Sequence, residues 1–211
     1  DQDVITNAII FQPAEVTWSG KAYADGKDAT DAGPFGNART PIAAAFTPVG
    51  GGAPMLVAVN HFKSKGSAPK DPADPNADTG QGGWNAARVA QANALLGWLP
   101  DVQKDARTDS VALVGDFNSY THEDPLEVLY AAGWENAAKQ SDYSYNFDGL
   151  SGSLDHVLLN PAADERLTGS GVWNINSVEP VLREYSRYRS TKVDYYRDDL
   201  YRASDHDPVK V

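Results

Sequence analysis

Apolar residues are grouped along this chain into short runs that are separated by polar and glycine-rich segments. Four of these runs have the length and the bounded ends of buried strands: Thr40–Thr47, Met55–Asn60, Val111–Val114 and Leu154–Leu159. A weaker run, Ala8–Phe11 before Pro13, predicts another strand, and Val209–Val211 predicts a short final one.

Helical periodicity is clear in one segment. Apolar residues recur there at three- and four-residue spacing and form one stripe: Val89, Ala92, Leu95, Leu96 and Leu99. We therefore predict a helix from Trp84 to about Leu99 that ends at Pro100. A second, shorter helix is predicted from Pro125 to Ala132, with Gly133 as its stop signal.

The remaining long segments lack periodicity and are predicted to be loops: Trp18–Asn37, Lys63–Gly83 and Glu184–Arg202. Strands interspersed with helices indicate a layered α/β domain. The 211 residues contain no repeat and no linker, so the sequence predicts one domain.

Composition narrows the function classes. With 29 acidic and 18 basic residues the net charge is −11, which argues against binding of nucleic acid by bulk electrostatics. Metal ions and a few local Arg and Lys residues could still neutralise a phosphate. The chain has no cysteine, which excludes disulfides, thiolate zinc sites and cysteine nucleophiles.

Candidate chemistry lies where strands end. Asp116 and Asn118 follow Val111–Val114 and point the same way if the segment is extended, although an Asx turn is an equally good interpretation. Asp155 lies in an otherwise apolar strand and needs a partner. Its neighbour His156 is predicted to be a packed histidine, whereas His61 ends a strand beside two lysines and suits an anionic substrate.

A third polar motif is Ser204-Asp205-His206-Asp207-Pro208. In an extended segment Asp205 and Asp207 share one face and His206 takes the other, unless a turn bends them. Carboxylates with an amide and histidines, and no thiol, suit a hard divalent cation and proton transfer. A polar loop before a final strand explains this motif equally well.

In this order, four motifs resemble the endonuclease/exonuclease/phosphatase superfamily, which includes pancreatic deoxyribonuclease: Val59-Asn60-His61-Phe62-Lys63-Ser64, Gly115-Asp116-Phe117-Asn118, Leu154-Asp155-His156 and Ser204-Asp205-His206-Asp207-Pro208. Further stretches are similar to bacterial extracellular nucleases of that superfamily: Lys65-Gly66, Gln81-Gly82-Gly83-Trp84-Asn85, Glu123-Asp124-Pro125 and Tyr143–Phe147. The resemblance extends from about Ile9 to the last residue.

The resemblance implies a role for each candidate residue. Asp205 and the pair Asp116 and Asn118 would hold Mg²⁺ and the scissile phosphate. His206, oriented by Asp155, would activate the attacking water, and His61 would protonate the leaving oxygen or stabilise its charge. Arg39 would contact the DNA backbone, and Tyr145 and Phe147 would line the substrate groove.

The implied protein is a secreted, low-specificity DNA endonuclease, with RNA as a further substrate and Mn²⁺ as an alternative ion. Its fold would be α/β (α+β), a four-layer sandwich of two β-sheets flanked by helices. Residues 1–211 would be the C-terminal portion of that domain, and the absent N-terminal half would supply further metal ligands. We therefore expect this fragment alone to be inactive.

Three alternatives stay open at this point. Structural Ca²⁺ could bind two acidic regions, although solvated loops are favoured there: Asp71/Asp74/Asp78 and Asp194/Asp198/Asp199. A sphingomyelin or inositol-phosphate phosphodiesterase of the same superfamily would use the same groups, but we expect no exposed apolar hairpin of the kind that docks on a membrane. A non-catalytic binding module would have no need of the full polar set.

Overall fold

The computed structural model describes residues 5–26, 30, 32–139, 141–184 and 193–211. A six-stranded sheet in the order β1-β2-β3-β4-β8-β5 dominates it. The elements, in chain order, are β1 (Val16–Ala24), β2 (Arg39–Pro48), β3 (Met55–His61), α1 (Asn85–Ala106), β4 (Val111–Asp116), α2 (Asp124–Ala131), β5 (Glu135–Asn136), β6 (Tyr145–Phe147), β7 (Leu150–Gly152), β8 (Asp155–Leu159), α3 (Pro161–Asp164), β9 (Gly171–Val172) and β10 (Val209–Lys210).

The register of the sheet places polar residues from the ends of four neighbouring strands side by side. Strands β3 and β4 are parallel, and the other neighbours in the sheet are antiparallel. Arg39 on β2 pairs with His61 on β3, and His61 pairs with Asp116 on β4. Because Asp116 also pairs with Asp155 on β8, four strands each present one polar residue at the same end of the sheet.

Helices α1 and α2 cover one face of this sheet. Their apolar residues Leu95, Leu99 and Leu129 are buried in one cluster with Leu56 of β3 and Leu113 of β4. The strand β3 shows the alternation that results, since every second side chain points into this core and is buried. The predicted α/β layering is confirmed.

The opposite face of the sheet is also apolar but is covered less completely. Met55, Val57 and Val59 of β3 are only half-buried there, as is Ile42 of β2. A smaller cluster around Val157 occupies the other end of this face. The described residues thus form one principal sheet and two separate two-stranded ribbons, β9–β10 and β6–β7. The resemblance, by contrast, implies a fold with two sheets.

The predicted end of the long helix was wrong. Helix α1 continues through Pro100 to Ala106, about two turns beyond the expected stop at Leu99. Proline in a helix interior costs about 3 kcal/mol. Val102 is buried in the same cluster as Leu99, and this packing offsets the lost backbone hydrogen bond.

Two predictions near the N-terminus were also wrong. Residues 8–11 lie outside the strands that the structure describes, and Ile10 is almost fully exposed. Part of the segment predicted as the loop Trp18–Asn37 is instead the edge strand β1. Its side chains are mostly exposed, so it lacks the alternation that marks a strand in sequence, and pairing with β2 stabilises it.

The other predicted elements lie close to their expected positions, and four short strands and α3 were not predicted. Of the predicted loop Glu184–Arg202, residues 185–192 lie outside the described part of the chain, and 193–202 contain neither helix nor strand. Within the described residues, every helix is too short or too polar to cross a bilayer.

Candidate active site

One cavity collects the predicted polar residues at the end of the sheet. Its volume is about 430 Å³. Its lining consists of Arg39, His61, Ser64, Asp116, Asn118, Asp155, Asp205 and His206. Of the predicted site residues, Tyr145 and Phe147 lie outside this lining. The structure therefore places the three sequence motifs and His61 at one site.

A sharp turn after β4 positions Asp116 and Asn118. The backbone N–H of Asn118 donates to Asp116 Oδ1 over 2.7 Å, and its side-chain amide donates to the carbonyl of Phe62 over 3.0 Å. Asn118 has a φ of 47°, which asparagine tolerates in such a turn. The pair therefore forms the Asx turn, and in this turn, rather than in an extended segment, both residues line the cavity.

Gly115 lets the two parallel strands approach closely beneath this turn. Its φ is 137°, and a Cβ atom at this position would lie 1.9 Å from the carbonyl oxygen of Asn60. Every other residue type would therefore clash with the β3 backbone. The glycine of the motif serves the geometry of the strands rather than the chemistry.

Asp155 and His206 form a hydrogen-bonded pair. His206 Nδ1 lies 2.7 Å from Asp155 Oδ2, which also accepts a hydrogen bond from the hydroxyl of Ser144 over 2.6 Å. Donation from Nδ1–H leaves Nε2 of the same ring for another partner. An aspartate that holds a histidine in one tautomer and orientation is the arrangement of a general base.

Ser144 is a positioning residue that the sequence did not reveal. It is fully buried, and its hydroxyl also accepts the backbone N–H groups of Leu154 and Asp155. Its carbonyl accepts the backbone N–H of Asp207 over 2.7 Å. Ser144 thus joins β8 to the C-terminal motif. A single serine between two tyrosines carries no pattern from which this role could be inferred.

His61 lies on the other side of Asp116. Its Nε2 is 3.4 Å from Asp116 Oδ2, and both side chains are partly exposed to the cavity. Arg39 lies beside it through the β2–β3 register. An imidazole and a guanidinium therefore flank the carboxylate on the side opposite His206, where they can contact an anion.

Burial and the charge of Asp155 raise the pKa of Asp116 to about 7. Burial lowers the pKa of His206, but the hydrogen bond and the charge of Asp155 outweigh it and raise the pKa to about 9. The charges of Asp116 and Asp205 add to this rise. The cavity is thus an environment in which carboxylates crowd together and favour an added cation.

These carboxylates fit a divalent metal ion. Ligand atoms of Asp116, Asp155 and His206 lie within 4.8 Å of one another, and among the described residues they form the one such group. This set differs from the predicted ligands, because Asn118 and Asp205 line the cavity without belonging to it. Oxygen donors suit Mg²⁺ or Mn²⁺, so the carboxylates of Asp116 and Asp155 can face such an ion, and Asp155 also orients His206.

A turn separates the two aspartates around His206. Asp207 is buried away from the cavity, where its carboxylate accepts from Asn174, from the backbone of Asn176 and from Ser177. The exception allowed from sequence therefore applies, because a turn bends this motif and Asp205 and Asp207 do not share one face. Asp205 and His206 line the cavity together, and Asp207 anchors the turn that presents them.

His156 and His122 take no part in this cavity. His156 is buried, and its ring contacts the Ser119 carbonyl and the side-chain amide of Asn136. Burial lowers its pKa, which agrees with the packed, neutral histidine predicted from sequence. His122 is exposed on the surface.

Tyr145 lies beside the cavity. It forms an isolated bridge with His206, and the centroids of their rings are 4.6 Å apart. The hairpin β6–β7 that carries Tyr145 exposes 63% of Phe147 and 75% of Leu150. The expectation that no exposed apolar hairpin exists was therefore wrong.

Basic side chains lie near Arg39, which lines the cavity. Burial and the charges of Arg39 and Arg88 lower the pKa of Lys63. Its ammonium lies 5.1 Å from the ring centroid of Trp84. Lys65 is paired with Glu123, and Arg88 is buried against backbone carbonyls. Among the described residues near the cavity, Arg39 and Lys63 are thus the cations best placed to meet an anion.

The two acidic loops show ordinary turn geometry. Asp71, Asp74 and Asp78 each accept backbone N–H groups that lie two to four residues further along the chain. Asp194 and Asp199 do the same. Neither region forms a group of three converging ligands among the described residues. These contacts fit the solvated loops favoured from sequence.

Comparison with solved structures identifies the fold. The chain is similar to an endonuclease/exonuclease/phosphatase family protein from Bacteroides thetaiotaomicron, with a TM-score of 0.55 and 14% identity over 77% of this chain and 56% of that chain. A mannosyl-6-phosphatase from the same organism matches with a TM-score of 0.51 and 14% identity, over 77% of this chain and 57% of that chain.

The fold implied by the sequence motifs is confirmed. The chain spans less than two thirds of the length of either of these two similar proteins. No protein-family model matches the chain, and no curated protein matches it by sequence.

Proposed function

We propose that this chain, which has the endonuclease/exonuclease/phosphatase fold, belongs to a metal-dependent phosphodiesterase that hydrolyses nucleic acid, specifically a secreted DNA endonuclease of low specificity. The convergence of His61, Asp116, Asn118, Asp155 and His206 in one cavity carries this proposal. These groups supply a base, an acid and hard oxygen ligands at a single position, and in-line hydrolysis of a phosphate ester requires all three.

Each residue has a distinct task in this proposal. His206, held through Nδ1 by Asp155, takes a proton from the attacking water at Nε2 in its neutral form, which a cation beside Asp116 and Asp205 favours because it offsets the carboxylate charges that raise the His206 pKa. His61 gives a proton to the leaving oxygen, and Asn118 contacts a phosphate oxygen. Arg39 and Lys63 bind flanking phosphates, which a chain of net charge −11 needs locally. When bound at Asp116 and Asp205, Mg²⁺ or Mn²⁺ supplies charge stabilisation to the phosphate.

We propose further that catalysis requires more of the polypeptide than these residues. The half-buried apolar face of Met55, Val57 and Val59 supports this, because an apolar sheet face is stabilised by a second packed layer. The chain also spans only 56% of the first similar protein. The remaining N-terminal half would add metal ligands, and the isolated fragment would be inactive.

The decisive experiment compares site variants with surface controls. We expect Mg²⁺-dependent degradation of plasmid DNA by the longer polypeptide, and little by this chain alone. In the longer polypeptide, His206→Ala should lower the rate by about 10²- to 10⁴-fold, the usual contribution of a general base. The surface variant His122→Ala should match the unaltered protein. Full activity of H206A would contradict the proposal, and full activity of the isolated chain would contradict its second part.

Metal binding gives an independent test on this chain alone. Asp116→Asn should weaken Mn²⁺ binding, measured by titration calorimetry, by tenfold or more, whereas Asp71→Asn in the acidic loop should leave it unchanged. Equal effects of both variants would place the ion elsewhere. A binding module without catalysis need not depend on a metal ion at all.

One observation favours a second candidate function. The exposed Phe147 and Leu150 of the β6–β7 hairpin give the chain an apolar projection next to the cavity, of the kind expected of a lipid phosphodiesterase. Release of phosphocholine from sphingomyelin vesicles, without degradation of plasmid DNA, would favour this candidate. Inositol phosphates are used as substrates in the same series of assays, which tests the inositol-phosphate phosphodiesterase.

A further inference from the structure

A second, larger cavity adjoins the candidate active site. Its volume is about 920 Å³, and Asp205 lines both cavities. Tyr145, Phe147 and Asp148 of the β6–β7 hairpin form one wall, and the segment from Ser177 to Val181 forms another. A molecule that reaches the first cavity can therefore extend directly into the second.

Two aromatic rings form a platform along this wall. Tyr145 and Phe147 lie two residues apart on β6, so their side chains share one face. Their rings are nearly parallel, with an interplanar angle of 10° and centroids 6.2 Å apart. Since Tyr145 also contacts the His206 ring, the platform leads away from the catalytic residues without a gap.

The outer ring of the platform is exposed rather than packed. Phe147 is 63% exposed although it is apolar, and it lies outside both core clusters. A ring in this position makes little contribution to folding. Its parallel alignment with Tyr145 leaves ring surface available to a planar ligand group.

The charges around the second cavity separate it from the phosphate-binding side. Among the described residues, its lining includes more carboxylates than cations: Asp148, Glu179, Glu184 and Asp205 against Arg202. Phosphates are attracted instead to the rim with Arg39 and Lys63. The part of a nucleic acid that suits the second cavity is therefore an uncharged base, whose N–H groups can donate to carboxylates.

We propose that Tyr145 and Phe147 form a stacking subsite for one unpaired base next to the scissile phosphate, and that the substrate is single-stranded or locally unpaired nucleic acid. This inference rests on the proposed nuclease function. Bases in a duplex are paired and stacked on each other, so a ring platform reaches only a base that has left the helix.

Binding measurements on this chain test the subsite without turnover. The probes are a short fluorescent oligothymidylate, a strand of equal length made of abasic sites, and the blunt duplex form, each followed by anisotropy in Ca²⁺. We expect the oligothymidylate to bind about tenfold or more tightly than the other two, since stacking on one aromatic ring contributes a factor of about 5 to 150.

Variants then distinguish ring stacking from simple hydrophobic contact. Phe147→Leu should reduce oligothymidylate affinity to the level of the abasic strand, whereas Phe147→Tyr should preserve it. Leu150→Ala, which removes the apolar residue paired with Phe147, should have no effect. Unchanged affinity in F147L, or equal affinity for abasic and normal strands, would overturn the subsite.

The measurements distinguish an error in the proposed stacking subsite from an error in the proposed nuclease function. If the unaltered chain binds the strands and F147L binds equally well, only the subsite is wrong. If the chain binds no nucleic acid and the longer polypeptide cleaves none, the proposed function is wrong. Loss of binding to zwitterionic vesicles in L150A, with no binding of strands, would instead assign the hairpin to a lipid surface.

Discussion

Ser144 shows how the geometry of the proposed active site can depend on a buried residue outside the cavity lining. Its hydroxyl donates to the same Asp155 oxygen that holds His206, and it accepts two backbone N–H groups of β8. Without it, one carboxylate oxygen loses a partner and the imidazole loses part of its support. Hydrogen-bond partners at this distance from the chemistry matter because they fix orientation.

Ser144→Ala should therefore lower kcat of the active protein by about 10- to 100-fold with little change in KM. The matched control is Ser153→Ala, since Ser153 is also buried and donates to the carbonyl of Asp142 rather than to Asp155. Steady-state kinetics on a small phosphodiester measures both variants. Equal losses of kcat in the two variants would show that Ser144 contributes only to general packing and does not position His206.

At the scale of elements, Gly115 determines whether β3 and β4 can pair. A methyl group there meets the Asn60 carbonyl at 1.9 Å, in a backbone conformation with φ of 137°. Gly115→Ala should lower the free energy of unfolding by more than about 3 kcal/mol, the range of strongly strained or clashing substitutions. Denaturant unfolding measures this.

Gly97 in α1 provides the matched control. A Cβ atom at Gly97 meets nothing within 4 Å. Gly97→Ala should therefore stabilise the helix by about 0.5 to 1 kcal/mol, because alanine restricts the unfolded chain and favours helix. The opposite signs expected for the same chemical change would separate the clash from any general effect of removing glycine. A stable G115A variant would show that the strands can shift apart.

An edge contact between β1 and α1 should make stability depend on alkaline pH. The Tyr23 hydroxyl donates to Asp105 over 2.6 Å, and burial, this hydrogen bond and the charge of Asp105 raise the Tyr23 pKa from 10.0 to about 12. The folded state therefore holds the proton more tightly than the unfolded state. The resulting stability is fully present below pH 10 and is lost as the pH rises toward 12.

Thermal unfolding of the unaltered chain and of Tyr23→Phe tests this between neutral pH and pH 12. The difference between the two proteins should shrink with rising pH, because the variant has no phenol to ionise. A carbon-13 label on the tyrosine ring should report directly a pKa above 10 for Tyr23. A normal pKa in that spectrum would contradict the edge contact.

The elements also show what sequence can and cannot predict. Strands β2, β3, β4 and β8 were predicted because they are buried, apolar and bounded by polar residues. The exposed strand β1 has no such pattern. The prediction that α1 ends at Pro100 was wrong because the burial of Val102 in the core outweighs the tendency of proline to end a helix. The motifs predicted which residues converge in the cavity. The role of Ser144 and the turn that directs Asp207 away from the cavity depend on contacts between distant segments, which local patterns do not encode.

At the scale of the whole molecule, an acidic protein is proposed to act on a polyanion. The net charge is −11, and Arg39 and Lys63 are the cations best placed at the site, since Lys65 and Arg88 are already engaged. Two phosphate contacts on a single strand predict a slope of log affinity against log salt of about −1.4. Anisotropy titrations over a salt series measure this slope. A much steeper slope would reveal a broad basic surface that the charge distribution does not suggest.

The attachment of the C-terminal segment has a consequence for motion. Asp205 and His206 are held by the Asp207 contacts, by the pairing of β10 with β9 and by the hydrogen bond between His206 and Asp155 of β8, while β10 itself pairs outside the six-stranded sheet. These few contacts can open while the helix-covered core stays folded, and Asp205 and His206 would then leave the cavity. Amide hydrogen exchange should then be faster at residues 206–210 than in β3 and β4, and the proposed activity should be lost on gentle warming before the core unfolds.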